Sequence, residues 1–306
     1  MLIIGNKYKF IELEKEKLKK YNLTFIKVDD KIVGNLEKEI KKNQFEIIVL
    51  NTDKKLSNKT IDYLIKLQLK IHNSKFKIIT IEHFLEEYLG KVYIPKDNSD
   101  ISFLDNIKPF SKWQYIQKRI IDFSITIPLG IVTIPIMLYS AYRIKRESPD
   151  GDVFFKQKRI GLNGEEFECI KFRSMVPDAE KGKPQFASED DPRIFKWGAF
   201  MRKTRIDELP QIWNVLKGEM HMIGPRPERK YWVDKFKKTI PFYDERHLIK
   251  PGITGWAQVN YPYGDGEEDA YQKLMYDLYY IKNWSLSLEI KTIFKTAMVM
   301  IGRKGL

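Results

Sequence analysis

Short apolar runs rich in β-branched residues recur through the first hundred positions: Leu2-Ile-Ile4, Leu23–Val28, Glu46–Leu50 and Phe76–Ile81. Each is short and near-continuous, the pattern of a strand buried on both faces. Between them, Ile11–Lys20, Leu36–Lys42 and Thr60–Ile71 carry apolar residues at helical spacing. Strands alternating with helices predict a small parallel α/β domain over 1–95. Its lone Gly5 does not make the glycine-rich fingerprint of a dinucleotide site and is read as structural.

From 96 to 117 a polar connector turns amphipathic, with Phe103, Leu104, Ile107, Phe110, Trp113 and Ile116 at near-helical spacing. The pattern then changes abruptly. Phe123–Tyr142 is a run of twenty residues without a charge, the length that spans a hydrocarbon core. It lies too far from the N-terminus to be a signal peptide. Lys112, Lys118 and Arg119 precede it; Arg143, Lys145 and Arg146 follow. Basic residues mark the cytoplasmic side of a span, and here both ends carry them. Pro128 and Pro135 interrupt the helical hydrogen bonding. A helix over 118–146 that enters the bilayer, kinks near Pro135 and returns is therefore expected. Beyond it, Val153–Phe155 and Phe167–Phe172 read as hairpin strands around an Asn163-Gly164 turn, and 190–306 as mainly helical.

Composition narrows the partners. Mean hydropathy is −0.42, which excludes a polytopic membrane protein. The 54 Lys and Arg exceed the 41 Asp and Glu, giving a net charge of +13, and the excess is shared by residues 1–110 and 111–306. Anionic phosphates are the implied partners. A nucleic-acid-binding module would share that charge but leaves the uncharged run without a purpose. Cys169 is the only cysteine and excludes a disulfide framework or cysteine-built metal site, and the four histidines lack ligand spacing.

The densest chemical cluster is Arg202-Lys-Thr-Arg-Ile-Asp-Glu-Leu-Pro-Gln211. Asp207 before a proline-containing first turn suits a helix N-cap. Taken alone, the N-cap is the favoured reading; the other is a nucleophile for phosphorus, with Glu208 available to Mg²⁺ and Arg202 and Arg205 to anionic oxygens. Ile212, Trp213, Val215 and Leu216 are read as one apolar face of the following helix, ended by Gly218. Lys171 and Arg173 lie two apart on a strand, hence on one side of it. Arg226 stands between prolines in Gly224-Pro-Arg-Pro227, a rigid mount for bidentate phosphate contact.

In order, Lys171-Phe-Arg-Ser-Met175, Asp207-Glu-Leu-Pro-Gln211, Gly224-Pro-Arg-Pro227, Lys250-Pro-Gly-Ile-Thr-Gly-Trp-Ala-Gln-Val259, Asp277-Leu-Tyr-Tyr280 and Asn283-Trp-Ser285 resemble the bacterial sugar transferase family. These are the monotopic polyprenyl-phosphate phosphoglycosyl transferases, and the likeness covers about 113–306. Tyr261–Gly264 and Asp269-Ala270 are most similar to members that start exopolysaccharide or O-antigen units. The resemblance implies transfer of a sugar phosphate from a UDP-sugar to undecaprenyl phosphate, releasing UMP. It implies Asp207 as nucleophile, Glu208 as Mg²⁺ ligand, and Arg202 and Arg226, with Lys171 and Arg173 in support, as phosphate-binding residues. It also implies a Rossmann-like N-terminal domain and a catalytic α+β domain over 147–306. The expected setting is the cytoplasmic leaflet of the bacterial inner membrane, with a homodimer allowed and no nucleic-acid partner. A non-catalytic membrane-anchored scaffold of the same pathway is the alternative. Two departures stand out. Ile134-Pro135 replaces the family's common Ser-Pro, leaving Thr133 as the nearby hydroxyl. The four transmembrane helices that long members carry ahead of their α/β domain are expected to be absent.

Overall fold

The computed structural model describes residues 1–70, 76–95, 101–177, 179, 191–262, 264 and 266–301. The chain forms two compact units, Met1–Tyr93 and Ile94–Leu306.

In the first unit, strands β1 (Leu2–Ile4), β2 (Thr24–Ile26), β3 (Ile47–Leu50) and β4 (Lys77–Thr80) make one parallel sheet in the order β2-β1-β3-β4. Helices α1 (Glu12–Leu18), α2 (Ile32–Lys42) and α3 (Asn58–Lys70) connect them, and a short α4 (Ile81–Phe84) follows. Leu2, Ile3 and Ile4 are completely buried, as the continuous apolar run requires. Ligands of such sheets lie outside the carboxyl ends of strands where the order reverses, here β1 and β3. That place is crossed by the chain itself: the Asn51 side chain accepts from Tyr8 N (2.7 Å) and donates to Tyr8 O (2.9 Å). The single-glycine turn thus serves the fold.

The second unit is organised by α5 (Lys112–Glu147), a helix of 36 residues and about 54 Å. It starts earlier than the sequence pattern predicted. Ser111 and Gln114 form a capping box, so the segment read as an amphipathic connector up to 117 already belongs to the helix. Both Pro128 and Pro135 lie within it. Its burial is inverted relative to a soluble helix. Lys118, Asp122, Thr126, Thr133, Ser140 and Ile144 face inward, whereas Ile120, Ile127, Ile131, Val132, Ile134 and Leu138 are exposed.

The inward residues are bonded to the rest of the unit. Lys118 Nζ donates to Ile223 O (2.8 Å), Tyr280 Oη (3.1 Å) and Glu289 Oε1 (2.5 Å). Asp122 shares a 2.6 Å hydrogen bond with His221 and accepts from Met222 N. Arg119 donates to the carbonyls of Val215 and Leu216. The Thr133 hydroxyl donates to Leu129 O at 2.7 Å. It therefore does not replace the bond that Pro135 withholds from the Ile131 carbonyl, correcting the role suggested by its position.

Strands β5 (Phe154–Ile160) and β6 (Glu166–Phe172) form the expected hairpin, with Asn163 and Gly164 at positive φ in its loop. Then come α6 (Lys196–Thr204), a 3₁₀ turn (Ile206–Gln211) and α7 (Ile212–Lys217), ended by Gly218 in the left-handed region. A parallel pair, β7 (His221–Ile223) and β8 (Gly252–Thr254), was not expected. It explains its glycines: a Cβ on Gly252 would sit 2.0 Å from Gly224 N, so the two backbones meet. Helices α8 (Lys230–Phe236), α9 (Trp256–Asn260), α10 (Glu267–Lys282) and α11 (Leu286–Ile301) complete the unit. α5 packs along α6, α7, the 3₁₀ turn and β7.

Removing one partner of a buried ion pair leaves the other desolvated and unpaired. Lys118→Met should lower unfolding stability by ~3–5 kcal/mol in detergent micelles, and Glu289→Leu added to it should recover most of the loss. Equal melting of Lys118→Met and wild type would show that the pair does not fasten α5.

Candidate active site

The site begins with a reversal of the chain. After α6, Arg205 adopts φ 60°, ψ 14°, the left-handed region uncommon outside glycine. The chain then enters the 3₁₀ turn, which packs against β6, and Pro210 fixes its backbone. Asp207 and Glu208 occupy the first part of that turn. Asp207 makes no capping bond, and α7 begins only at Ile212, so the N-cap alternative is not the observed one.

The two neighbouring carboxylates have opposite surroundings. Glu208 is buried, and three cations converge on its Oε1: Lys171 at 2.7 Å, Arg226 at 3.5 Å and Arg205 at 3.9 Å. Asp207 Oδ1 is buried without a hydrogen-bond partner. Burial, then the negative charge of Glu208, push the Asp207 carboxyl up to about 6, against the pull of Lys171, Arg205 and Arg202. Burial also disfavours the Glu208 anion, but Lys171, Arg226 and Arg205 outweigh it and hold that carboxyl well below the usual range. The pair titrates as a unit, with Asp207 the easier member to protonate. At neutral pH both are ionised, one charge neutralised by its ion pairs and the other buried with an oxygen that has no hydrogen-bond partner.

Arg226 is held from behind. Arg246 donates to Arg226 O (3.0 Å), Asp277 Oδ2 (2.8 Å) and Tyr243 Oη (2.8 Å). Arg159 donates to Pro227 O at 3.2 Å. Neither arginine was singled out from sequence. Arg159 looked like one charge on an alternating strand, and Arg246 shows its partner Asp277 only in the fold.

Other expectations change. Lys171 and Arg173 part company because β6 ends at Phe172. Arg173 donates to Asp152 O, Ser148 Oγ and Ser148 O, each at 2.6 Å, and so ties the end of α5 to the hairpin. These bonds hold its guanidinium apart from the cluster at Glu208. Arg202 sits in the last turn of α6, where its charge reaches Asp207, but Arg205 holds the ion-pair position at Glu208. On α7, Trp213 is 53% exposed while Asn214 is buried and bonded to Ile170 N and Glu168 O. The apolar face drawn through Trp213 is therefore interrupted. Among the described residues no group of three or more His, Cys, Asp or Glu is arranged to hold a metal ion.

The chain is similar to known proteins. The family described as bacterial sugar transferase matches residues 113–303. The UDP-N-acetylgalactosamine-undecaprenyl-phosphate N-acetylgalactosaminephosphotransferase of Aeromonas hydrophila is 41% identical over 221 residues, 72% of this chain and 51% of that protein. The UDP-glucose:undecaprenyl-phosphate glucose-1-phosphate transferase of Xanthomonas campestris pv. campestris is 47% identical over 173 residues, 56% of this chain and 36% of that protein. An enzyme of the same description from Escherichia coli K12 is 39% identical over 191 residues, 61% of this chain and 41% of that protein. The chain spans about half or less of the length of these relatives.

The raised Asp207 carboxyl makes a stability prediction. The folded chain holds this proton more tightly than the unfolded chain, so stability falls as pH rises from 3.8 to about 6, and the deficit persists above. Asp207→Asn should raise the melting temperature above pH 6 by ~2–4 °C, the shift that about 1 kcal/mol produces in a chain of this size. The gain should vanish below pH 4 in calorimetric scans; a pH-independent gain would place its cause elsewhere.

Proposed function

The chain belongs to the bacterial sugar transferase family, and from that premise we propose that it transfers a sugar-1-phosphate from a UDP-sugar to undecaprenyl phosphate, releasing UMP. The named relatives support this acceptor and differ in the sugar, which is N-acetylgalactosamine in one, glucose in others and galactose in another. The observation that carries the chemistry is the buried, unpartnered oxygen of Asp207 beside the cation-held Glu208.

The Asp207 carboxylate attacks the phosphorus that bears the sugar, and the bond from that phosphorus to the UMP oxygen breaks. The sugar phosphate is then an acyl phosphate on Asp207. A phosphate oxygen of undecaprenyl phosphate attacks the same phosphorus, freeing the carboxylate and giving the diphosphate-linked lipid. Neither step needs a proton from the protein, so a carboxyl near 6 is already in its working form at neutral pH. Lys171, Arg205 and Arg226 reduce the repulsion between a carboxylate and two polyanions, and more strongly in a partly dehydrated site. Covalent storage separates the soluble and lipid half-reactions.

The donor set fits Mg²⁺, which usually takes one or two carboxylates, leaving its other positions to substrate phosphates and water. Glu208 would hold it, with the buried, unpartnered Asp207 oxygen adjacent, and the ion would supply charge neutralisation at the diphosphate.

The membrane setting is supported by α5. Its exposed side is apolar, its polar side chains point into the protein, and it touches one compact unit along its length, from Lys118 at Ile223 to Glu147 at Trp197 N. A helix crossing the bilayer would drag α6, α7 and β7 into the hydrocarbon. This supports a re-entrant helix on the cytoplasmic face. Leu286, Ile290, Phe294 and Met298, every fourth residue of α11, are also exposed and extend the apolar surface. The reading places the reaction at the start of exopolysaccharide, capsule or O-antigen assembly.

Asp207→Asn should abolish covalent labelling of the chain by a radiolabelled UDP-sugar; retained label would remove Asp207 as nucleophile. Arg226→Ala should cut kcat/KM by about 10²-fold in UMP release without reordering a nucleotide-sugar panel. Reporters fused before residue 110 and after residue 146 should both read cytoplasmic.

A further inference from the structure

A cavity of about 840 Å³ lies at the C-terminal end of α5, where its exposed apolar run gives way to charge. Its walls are Tyr139, Tyr142 and Phe195, and three cations, Arg143, Arg146 and Lys196, share it with one carboxylate, Glu147. That carboxylate is already engaged. Glu147 pairs with Arg143 and accepts from Trp197 N at 2.7 Å. Arg143 also donates to Tyr139 Oη (3.1 Å) and lies over the Trp197 ring at 4.6 Å. Arg146 reaches only a hydroxyl, Tyr142 Oη at 3.4 Å, and neither it nor Lys196 has a carboxylate partner among the described residues. Glu147 feels the charge of Lys196 as well as that of Arg143, so the cavity sets three cations against one carboxylate between aromatic walls. It contains none of the residues around Asp207, and α6, about 13 Å long, separates Lys196 from the carboxylate pair.

We propose that this cavity binds the phosphate of an anionic phospholipid headgroup, distinct from the substrate phosphates at Asp207. The assignment rests on the membrane reading of α5. There the rings of Tyr139 and Tyr142 occupy the interface level that amphipathic aromatics favour, and the cations point to the headgroup layer. A phosphodiester satisfies Arg146 and Lys196 together, and the aromatic walls accommodate the glycerol and upper acyl carbons. A free phosphate ion carries the same anionic oxygens but none of the apolar part.

Native mass spectrometry of the detergent-solubilised full chain with added phosphatidylglycerol or phosphatidylcholine tests this, alongside flotation on vesicles of phosphatidylcholine alone. Wild type should retain one phosphatidylglycerol and no phosphatidylcholine. Arg146→Gln/Lys196→Gln should retain phosphatidylglycerol about tenfold or more less tightly, while Arg146→Lys/Lys196→Arg should bind as wild type does. Lys41→Gln/Lys42→Gln, which removes the same charge from the first unit, should leave retention unchanged. Equal retention by the glutamine variant, or equal retention of phosphatidylcholine, overturns the site. Displacement of the lipid by equimolar inorganic phosphate would assign the cavity to free phosphate and overturn the lipid assignment. Failure of wild type to float on any vesicle would instead overturn the membrane reading beneath it.

Discussion

A helix with apolar side chains on its outer surface must satisfy its polar ones inward, and α5 does so chiefly through Lys118. Its ammonium is fully buried, and Ile223 O, Tyr280 Oη and Glu289 Oε1 surround it. A desolvated cation tolerates little displacement, because its partners are replaced by nothing if it moves. The interaction joins the first turns of α5 to β7, α10 and α11 at one point. Arg119 with the end of α7, one residue on, and Asp122 with His221, one turn on, repeat the fastening. The 3₁₀ turn with the two carboxylates lies against the same helix, so its position follows from these bonds.

Within that frame the division of labour between Asp207 and Glu208 is a matter of helical geometry. A 3₁₀ turn has three residues per revolution, so successive side chains diverge by about 120°. One carboxylate can then enter the cluster of Lys171, Arg205 and Arg226 while its neighbour points elsewhere. The left-handed Arg205 therefore does two things: it turns the chain and brings its own cation to Glu208. The carboxyl of Asp207 is raised first by its burial and then by the negative charge of Glu208.

How much of this was legible depended on whether the signal was local. The β-branched runs, the uncharged span, the Asn163-Gly164 turn and the Asp207-Glu208 pair all announce themselves within a few residues. Arg246 and Asp277 do not, because their pairing exists only once α10 packs beside the turn at Tyr243–Leu248. Periodicity also misled where a strand stopped. Lys171 and Arg173 share a face only if the strand continues, and it ends between them. At Trp213 the hydrophobic residue faces out while Asn214 faces in, since two backbone groups of β6 need its amide. The start of α5 was misplaced because a capping box and an amphipathic connector look alike at Ser111–Gln114.

The net charge of +13 is the feature whose meaning the fold alters most. Lys118 and Arg173 are buried, and Arg119, Arg159 and Arg246 are spent on backbone carbonyls or internal carboxylates. A count of basic residues thus overstates the charge facing outward. It overstates it most on the N-terminal flank of the apolar run, where Lys112 is exposed but Lys118 and Arg119 are engaged inside. Flanking charge alone would orient that end weakly. In the proposed re-entrant setting the packing of α5 against a single unit would carry the orientation instead, because hydrocarbon cannot accommodate the polar elements beside it. Arg146 and Lys196, neither within ion-pair distance of a carboxylate among the described residues, stand at the other end of the same helix, where its apolar surface finishes.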